Sequence, residues 1–234
     1  MTKIESRYGA AEPTLPARAF YLFVRSLVWA AGKVLFRVEV HGREHIPAEG
    51  AFILAPGAHR SNLEIFVVCL VTRRRLRYMG KDSLWKNPAS DWFFSSLGGF
   101  PINRDSADRE ALNTSLELLA EGEAVVMFPE GTRRHGPTIE PDHMRDGVAY
   151  VASRGQIPIV PVGIGGSERA MPSGAKYIRP SKMVVVVGPP LTPIPLKESG
   201  RVSRSGVRAL TEDLRVSLQG LFDDAQRRAG VPNS

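Results

Sequence analysis

Residues 58–64 read AHRSNLE and follow the apolar run AFILAP at 51–56. An imidazole, a hydroxyl, an amide and a carboxylate fall close together there. On one continuous helix His59 and Glu64 would point roughly 140° apart. If His59 lies in a loop and Glu64 in the first helical turn, the chain folds back and the two can meet. A carboxylate that accepts the proton of one imidazole nitrogen fixes the tautomer and frees the other nitrogen to act as a base. Such a base suits removal of a proton from an alcohol near neutral pH. A second reading needs no chemistry. Ser61-Asn62-Leu63-Glu64 is an S-x-x-E capping box opening an apolar helix. It accounts for Ser61 and Glu64 and leaves His59 unexplained.

Two further stretches carry charge at the end of an apolar run. FPEGTRR at 128–134 follows EAVVM. Pro129 ends the run and Gly131 permits a tight turn. Glu130, Thr132, Arg133 and Arg134 then crowd the exit. A guanidinium there can take a phosphate in bidentate fashion. GGFPINR at 98–104 brings Arg104 in after two glycines and a proline, and Lys81 follows LRYMG. Both are candidate anion contacts, and both are also ordinary surface cations. Cys69 sits inside IFVVCLV, a poor place for a nucleophile. No histidine, cysteine or carboxylate cluster has metal-ligand spacing, since His135 and His143 lack a thiol partner.

The elements that must hold these residues alternate. Apolar runs at 37–42, 51–56, 76–80, 123–129, 157–164 and 182–188 predict strands, several of them continuous in Val and Ile as in a sheet covered on both faces. Helical patterns lie between them at 62–72, 106–121 with Ser106 as cap, 142–154 and 203–229. Residues 62–72 are apolar almost throughout, which predicts burial. Alternation argues for an α/β fold, a single domain with a central, mostly parallel or mixed sheet flanked by helices. Such sheets bind ligands beyond the carboxyl ends of their strands. GAHRSNLE, KDSLW and EGTRRHG all follow strands. Residues 189–205, rich in Pro and Ser, read as a surface connection. The organisation is a tail and helix at 1–37, a core at 38–192, and a connection and helix at 193–234.

The chain has 234 residues, 43% of them hydrophobic, one cysteine, a formal charge of +7 and a pI of about 9.8. One cysteine excludes a disulfide framework and suits a cytosolic-side location. The positive excess favours anionic partners. Nucleic acid is disfavoured, because aromatics are 8% of the chain and lie mostly in apolar runs. Residues 17–36 make a helix of roughly 30 Å. Arg18, Arg25, Lys33 and Arg37 fall within about a 100° sector, and Phe20, Phe23, Val24, Leu27, Ala31 and Val34 lie opposite, while Leu22, Trp29 and Phe36 break the division. The pattern predicts an amphipathic helix lying in a membrane interface rather than crossing it, and its alternative is a helix packed on the protein's own core. The run TRRRLR at 72–77 reads either as lipid or nucleotide-phosphate attraction or as a solvated loop. His41 and His45 flank a turn and read as solvated.

Together these stretches resemble the glycerolipid acyltransferases, in particular the 1-acylglycerol-3-phosphate acyltransferase group. That family has four ordered blocks. HRSNLE is similar to its His-x4-Asp block, and GGFPINR to a Gly-Phe-Ile-x-Arg block. FPEGTRR meets Phe-Pro-Glu-Gly-Thr-Arg in full, and IPIVPV meets the fourth. The likeness covers about residues 38–192. It implies acyl transfer from acyl-CoA or acyl carrier protein to the free hydroxyl of 1-acylglycerol-3-phosphate, giving phosphatidic acid, with no cofactor or metal; its alternatives are another lysophospholipid or polar lipid acceptor, or a membrane-bound member of the family without catalysis. By the same resemblance His59 is the base and Glu64 its holder. Lys81, Arg104 and Arg133 grip the acceptor phosphate, and Glu130, with Gly131 and Thr132 of the same block, shapes the acceptor pocket. The implied location is the cytoplasmic face of the membrane, peripheral or monotopic. Three positions depart from the pattern: Glu64 stands where the family has Asp, Ala58 where it often has Asn, and Pro101 varies the second block.

Overall fold

The computed structural model describes residues 13–102, 109–172, 174–175 and 177–231. Seven strands form one sheet. They are β1 (Glu39–His41), β2 (Phe52–Pro56), β3 (Leu76–Lys81), β4 (Gly99–Ile102), β5 (Ala124–Val126), β6 (Ile159–Gly165) and β7 (Val184–Val187). Their order across the sheet is β1-β7-β6-β2-β5-β3-β4. From β6 through β4 every pairing is parallel, whereas β7 runs antiparallel to β6 and β1 parallel to β7. The carboxyl ends of β6, β2, β5, β3 and β4 therefore share one edge. The chain leaves β2 for β3 on one side and later returns through β5 to β6 on the other, so β2 is where the winding changes direction.

The α/β fold is the expected one, and six of the seven strands lie on the expected apolar runs, β3 and β6 each running one residue past the end. β4 was not expected. Glycine and proline suppress the strand signal of GGFPI, but β4 is the sheet's edge, where proline is tolerated.

Alternation along β2 separates two cores. Phe52 and Leu54 join one cluster, with Leu63, Val67 and Val68 on the α2 side. Ile53 and Ala55 join the other, with Leu118, Val148, Leu214 and Phe222. The first face is covered by α1 (Leu15–Val34) and the short α2 (Glu64–Val68), with α3 (Pro88–Ser96) against α1. The second is covered by α4 (Arg109–Ala120), α5 (Gly147–Gly155) and α7 (Arg204–Ala229), while α6 (Ser167–Ala170) follows β6. α7 starts on Ser203, whose hydroxyl accepts the Gly206 N–H, and ends on Gly230 in the left-handed region.

Three expectations about helices need correction. The 62–72 pattern gives a helix of only five residues, and Ile65 and Phe66 stay exposed. The helix expected over 142–154 is α5, beginning only at Gly147 after a 3₁₀ turn at Pro141–His143. The proposed cap Ser106 lies outside the described residues. The N-terminal helix forms, but its cations are not all on an outer face. Arg25 turns inward, donating to the Thr72 carbonyl and the Tyr21 hydroxyl. Ala17 and Gly32 are buried, Val28 packs on the core, and Phe20 stacks on Trp92 at 5.0 Å. One face thus packs on the protein itself. The other leaves Leu22, Phe23, Leu27 and Trp29 more than half exposed. No helix among the described residues is long and apolar enough to cross a membrane.

Three of the four arginines of the TRRRLR segment are engaged by the protein itself, while Arg73 stays exposed. Arg74 donates to the carbonyls of Gly50 (2.6 Å), Gly122 (2.9 Å) and Pro47 (3.3 Å). Arg75 donates to the Ser95 carbonyl, and buried Arg77 pairs with Glu123 at 3.4 Å. A guanidinium has five donors in a fixed fork, so it can satisfy several carbonyls at a crowded sheet edge. His45 is likewise engaged, its Nδ1 lying 2.9 Å from the Val187 carbonyl.

Candidate active site

The site grows from two neighbouring strands. β2 pairs with β5, so the loops after them leave the sheet side by side. Gly57 keeps its N–H on the Val162 carbonyl, and Leu218 of α7 lies so near that a Cβ at 57 would come within 2.8 Å of it. The chain then turns through Ala58 in the left-handed region (φ 53°), a conformation that costs a non-glycine residue energy and recurs at functional sites. It is also one that Asn tolerates better than Ala, which gives a reason for the residue more often found there in the family pattern.

His59 emerges from this turn ahead of α2. Its Nδ1 lies 2.6 Å from Glu64 Oε2. That contact to a carboxylate assigns the ring proton to Nδ1. Nε2 has no hydrogen-bond partner among the described residues. The imidazole retains 12% exposure while the Glu64 side chain has none, so the base meets solvent and its holder sits behind it. The main chain of His59 is clamped as well. Its N–H donates to Glu130 Oε2 (2.8 Å), and its carbonyl accepts the Arg134 N–H (2.8 Å). The ring also packs on Phe128, 4.5 Å between centroids. The histidine stretch and FPEGTRR are thereby fastened into one unit.

Glu64 is the imidazole's partner but not part of the expected capping box, because α2 begins at Glu64 with Leu63 as its N-cap and no side-chain cap. Its Oε1 accepts the N–H groups of Arg60 (3.0 Å) and Ser61 (3.1 Å), while Oε2 takes the imidazole. Ser61 does not complete the box, since its hydroxyl accepts from Leu63 N–H rather than from Glu64. A fourth donor arrives from elsewhere: the Ser167 hydroxyl, 2.5 Å from Oε1.

Glu130, read as a pocket-shaping residue, is buried. It holds the His59 N–H and faces the Arg60 guanidinium at 3.6 Å. Arg60 is fully buried, donates to the Gly136 carbonyl and lies 5.4 Å over the Phe222 ring. Gly131 turns in the left-handed region, and Gly131, Thr132 and Arg133 are exposed beside the histidine loop. Lys81 ends β3, two strands from β2 on the same edge, and is exposed. At the usual strand spacing that is about 10 Å of lateral separation. Arg104 lies outside the described residues. Sequence reading missed Arg60 and Ser167. An arginine one step from the histidine looks like surface, and a serine 103 positions from its partner leaves no local signal. Cys69 is half-buried, and burial pushes its thiol up to about 11, which keeps it protonated and unreactive near neutrality.

Known proteins resemble this chain in sequence and in fold. The chain is 28% identical over 185 residues to the 1-acyl-sn-glycerol-3-phosphate acyltransferase of Bacillus subtilis, covering 79% of this chain and 87% of that one. It is 29% identical over 187 residues to the Pseudomonas aeruginosa protein of the same name, covering 76% and 70%. It spans about half the length of the chloroplastic relatives, 47% of the one from Brassica napus. The crystal structure of the 1-acyl-sn-glycerophosphate acyltransferase PlsC from Thermotoga maritima superposes with a TM-score of 0.69 at 26% identity, covering 91% of this chain and 83% of that one. The family model described as Acyltransferase matches residues 37–165, more than half of the sequence, and the chain belongs to that acyltransferase family.

Proposed function

We propose that this protein transfers a fatty acyl group from an acyl thioester, acyl-CoA or acyl carrier protein, to the free hydroxyl of 1-acylglycerol-3-phosphate, giving phosphatidic acid. The observation that carries the reading is the 2.6 Å contact between His59 Nδ1 and a fully buried Glu64, at the carboxyl edge of the sheet and fastened to FPEGTRR. His59 Nε2 takes the hydroxyl proton as the acceptor oxygen attacks the thioester carbonyl. The tetrahedral intermediate collapses, the C–S bond breaks, and the imidazolium returns the proton to the leaving sulfur. Glu64 balances the transient positive charge on the ring. No acyl-enzyme forms. Arg133, Lys81 and Arg104 bind the acceptor phosphate, and Glu130 acts by holding the main chain of His59.

The exposed apolar face of α1 lies against the cytoplasmic leaflet, and α2 and α3, which contact α1, add the exposed Phe66 and Trp92. Both acyl chains partition into the bilayer, so a site seated on the leaflet shortens their path. The test is thiol release from acyl-CoA by purified protein, with lysophosphatidate and other lysophospholipids as competing acceptors and products read by mass spectrometry. General-base catalysis is worth about 10²–10⁴-fold, and His59→Ala should lose that much turnover while staying folded. Near-normal turnover by the folded variant would refute the role given to His59.

A further inference from the structure

We infer that Ser167 is a positioning residue of the dyad: its hydroxyl ties the Glu64 carboxylate to the sheet and so fixes where the His59 imidazole stands. The inference rests on the acyl-transfer reading above for its kinetic arm only.

An inventory of donors around the carboxylate carries the argument. Oε2 accepts His59 Nδ1–H and shares the Arg60 N–H at 3.1 Å. Oε1 accepts the Arg60 and Ser61 N–H groups. All of these donors belong to residues 59–61, the same loop that presents the imidazole. Loop and carboxylate thus form one body; Glu130 and Arg134 fasten its His59 end to the FPEGTRR turn, but none of these bonds ties the carboxylate to β6. α2 is a weak anchor for that body, being five residues long with Ile65 and Phe66 exposed. Among the described residues Ser167 is the one donor to Glu64 from outside the loop. At 2.5 Å, with Ser167 only 2% exposed and Glu64 not at all, the bond is short and dry. Hydrogen bonds to an ionised acceptor are roughly twice as strong as neutral ones, and more so out of water.

Ser167 is itself held rigidly. β6 ends at Gly165, where a Cβ would lie 2.3 Å from the main chain of Ala225 in α7. Gly166 has φ +80°, and its N–H donates to the buried Gln226 amide oxygen at 2.7 Å. A Cβ at 166 would sit 2.2 Å from the Lys182 carbonyl. Strand, helix and the approach to β7 thus converge on the serine. Glu64 supplies the remaining requirement, reach. Shortening it to Asp would withdraw the carboxylate by about one carbon–carbon bond, roughly 1.5 Å, too far to keep both His59 and Ser167. The glutamate is matched to the serine.

Two measurements on the full chain test this. In steady-state acyl transfer with acyl-CoA and lysophosphatidate, Ser167→Ala should lower kcat about 10- to 100-fold with either KM changed less than about threefold. In the Glu64→Gln background the same change should cost less than about threefold more, because the two act through one bond. Independently of any substrate, proton NMR should show a strongly downfield His59 Nδ1–H resonance, identified by its loss in His59→Ala, that broadens or vanishes in Ser167→Ala. A Ser167→Ala protein that keeps the wild-type resonance overturns the inference, whatever its activity. So does a wild-type kcat, or a full multiplicative loss on top of Glu64→Gln. Wild-type protein inactive toward lysophosphatidate would refute the acceptor assignment, and the resonance would still decide the role of Ser167.

Discussion

Glu64 is a longer carboxylate than the Asp of the family pattern, and its surroundings show why the extra methylene is tolerated. Four donors surround it: one imidazole, two main-chain N–H groups and one hydroxyl. An amide cannot accept on both arms, so Glu64→Gln turns its NH₂ toward at least one of them. We expect turnover to fall at least tenfold and stability to fall by about 1–3 kcal/mol, the penalty for a buried donor left unpaired. Kinetics and urea denaturation check the two separately, and a fully active, fully stable variant would leave the dyad without support. Cys69 gives a pH-dependent prediction. Burial holds its proton in the folded state to about pH 11, against 9.0 for an ordinary thiol. The folded pKa is raised, so the associated stability is present below pH 9 and is lost as pH rises through 11. Cys69→Ala should flatten the alkaline stability profile across that window. Alkylation of the folded wild-type thiol at pH 8 should be slow relative to the unfolded chain.

At the scale of elements the decisive contact is α7 against β6. Gly163 and Gly165 alternate along the strand, so both meet the same face. A Cβ at either would lie 2.3 Å from the helix main chain, at Leu221 and Ala225 respectively. Without side chains at these positions helix and strand backbones touch, and this fixes Gly166 and Ser167 beyond the strand end. Gly163→Ala must therefore move the helix or strain the strand. We expect a loss of about 1–3 kcal/mol, seen as a lower denaturation midpoint at unchanged m-value. An unchanged midpoint would mean that α7 can retreat freely. The arginines of residues 74–77 belong to this scale too, since they bind carbonyls and a carboxylate where the β3 edge meets the loops.

For the whole molecule, charge and apolar exposure have to be read together. Part of the +7 excess is occupied internally by Arg25, Arg60, Arg74, Arg75 and Arg77, so net charge overstates the cation available to lipid. Apolar exposure is a better guide. Phe23 is 63% and Trp29 58% exposed on the same helix, an arrangement a monomeric soluble surface seldom keeps. The double variant Phe23→Ser, Trp29→Ser should co-sediment poorly with vesicles of phosphatidylcholine and phosphatidylglycerol. It should also keep its activity on a short-chain acceptor in detergent. Undiminished sedimentation would remove α1 from the membrane contact.

How much of this was legible follows from sequence separation. His59 and Glu64 lie five residues apart and FPEGTRR is contiguous, so their chemistry is written locally. The Val- and Ile-rich strands are legible because burial on both faces demands continuous apolar runs. By themselves, these features determined the α/β class, the dyad and the family resemblance. The tertiary structure alone decided that Arg60 and Ser167 belong to the site, that GGFPI is an edge strand, that 62–72 is mostly not helix, and that α1 turns Arg25 inward. Each of these depends on what packs against the segment, and a local pattern carries no record of a neighbour that is a hundred residues away.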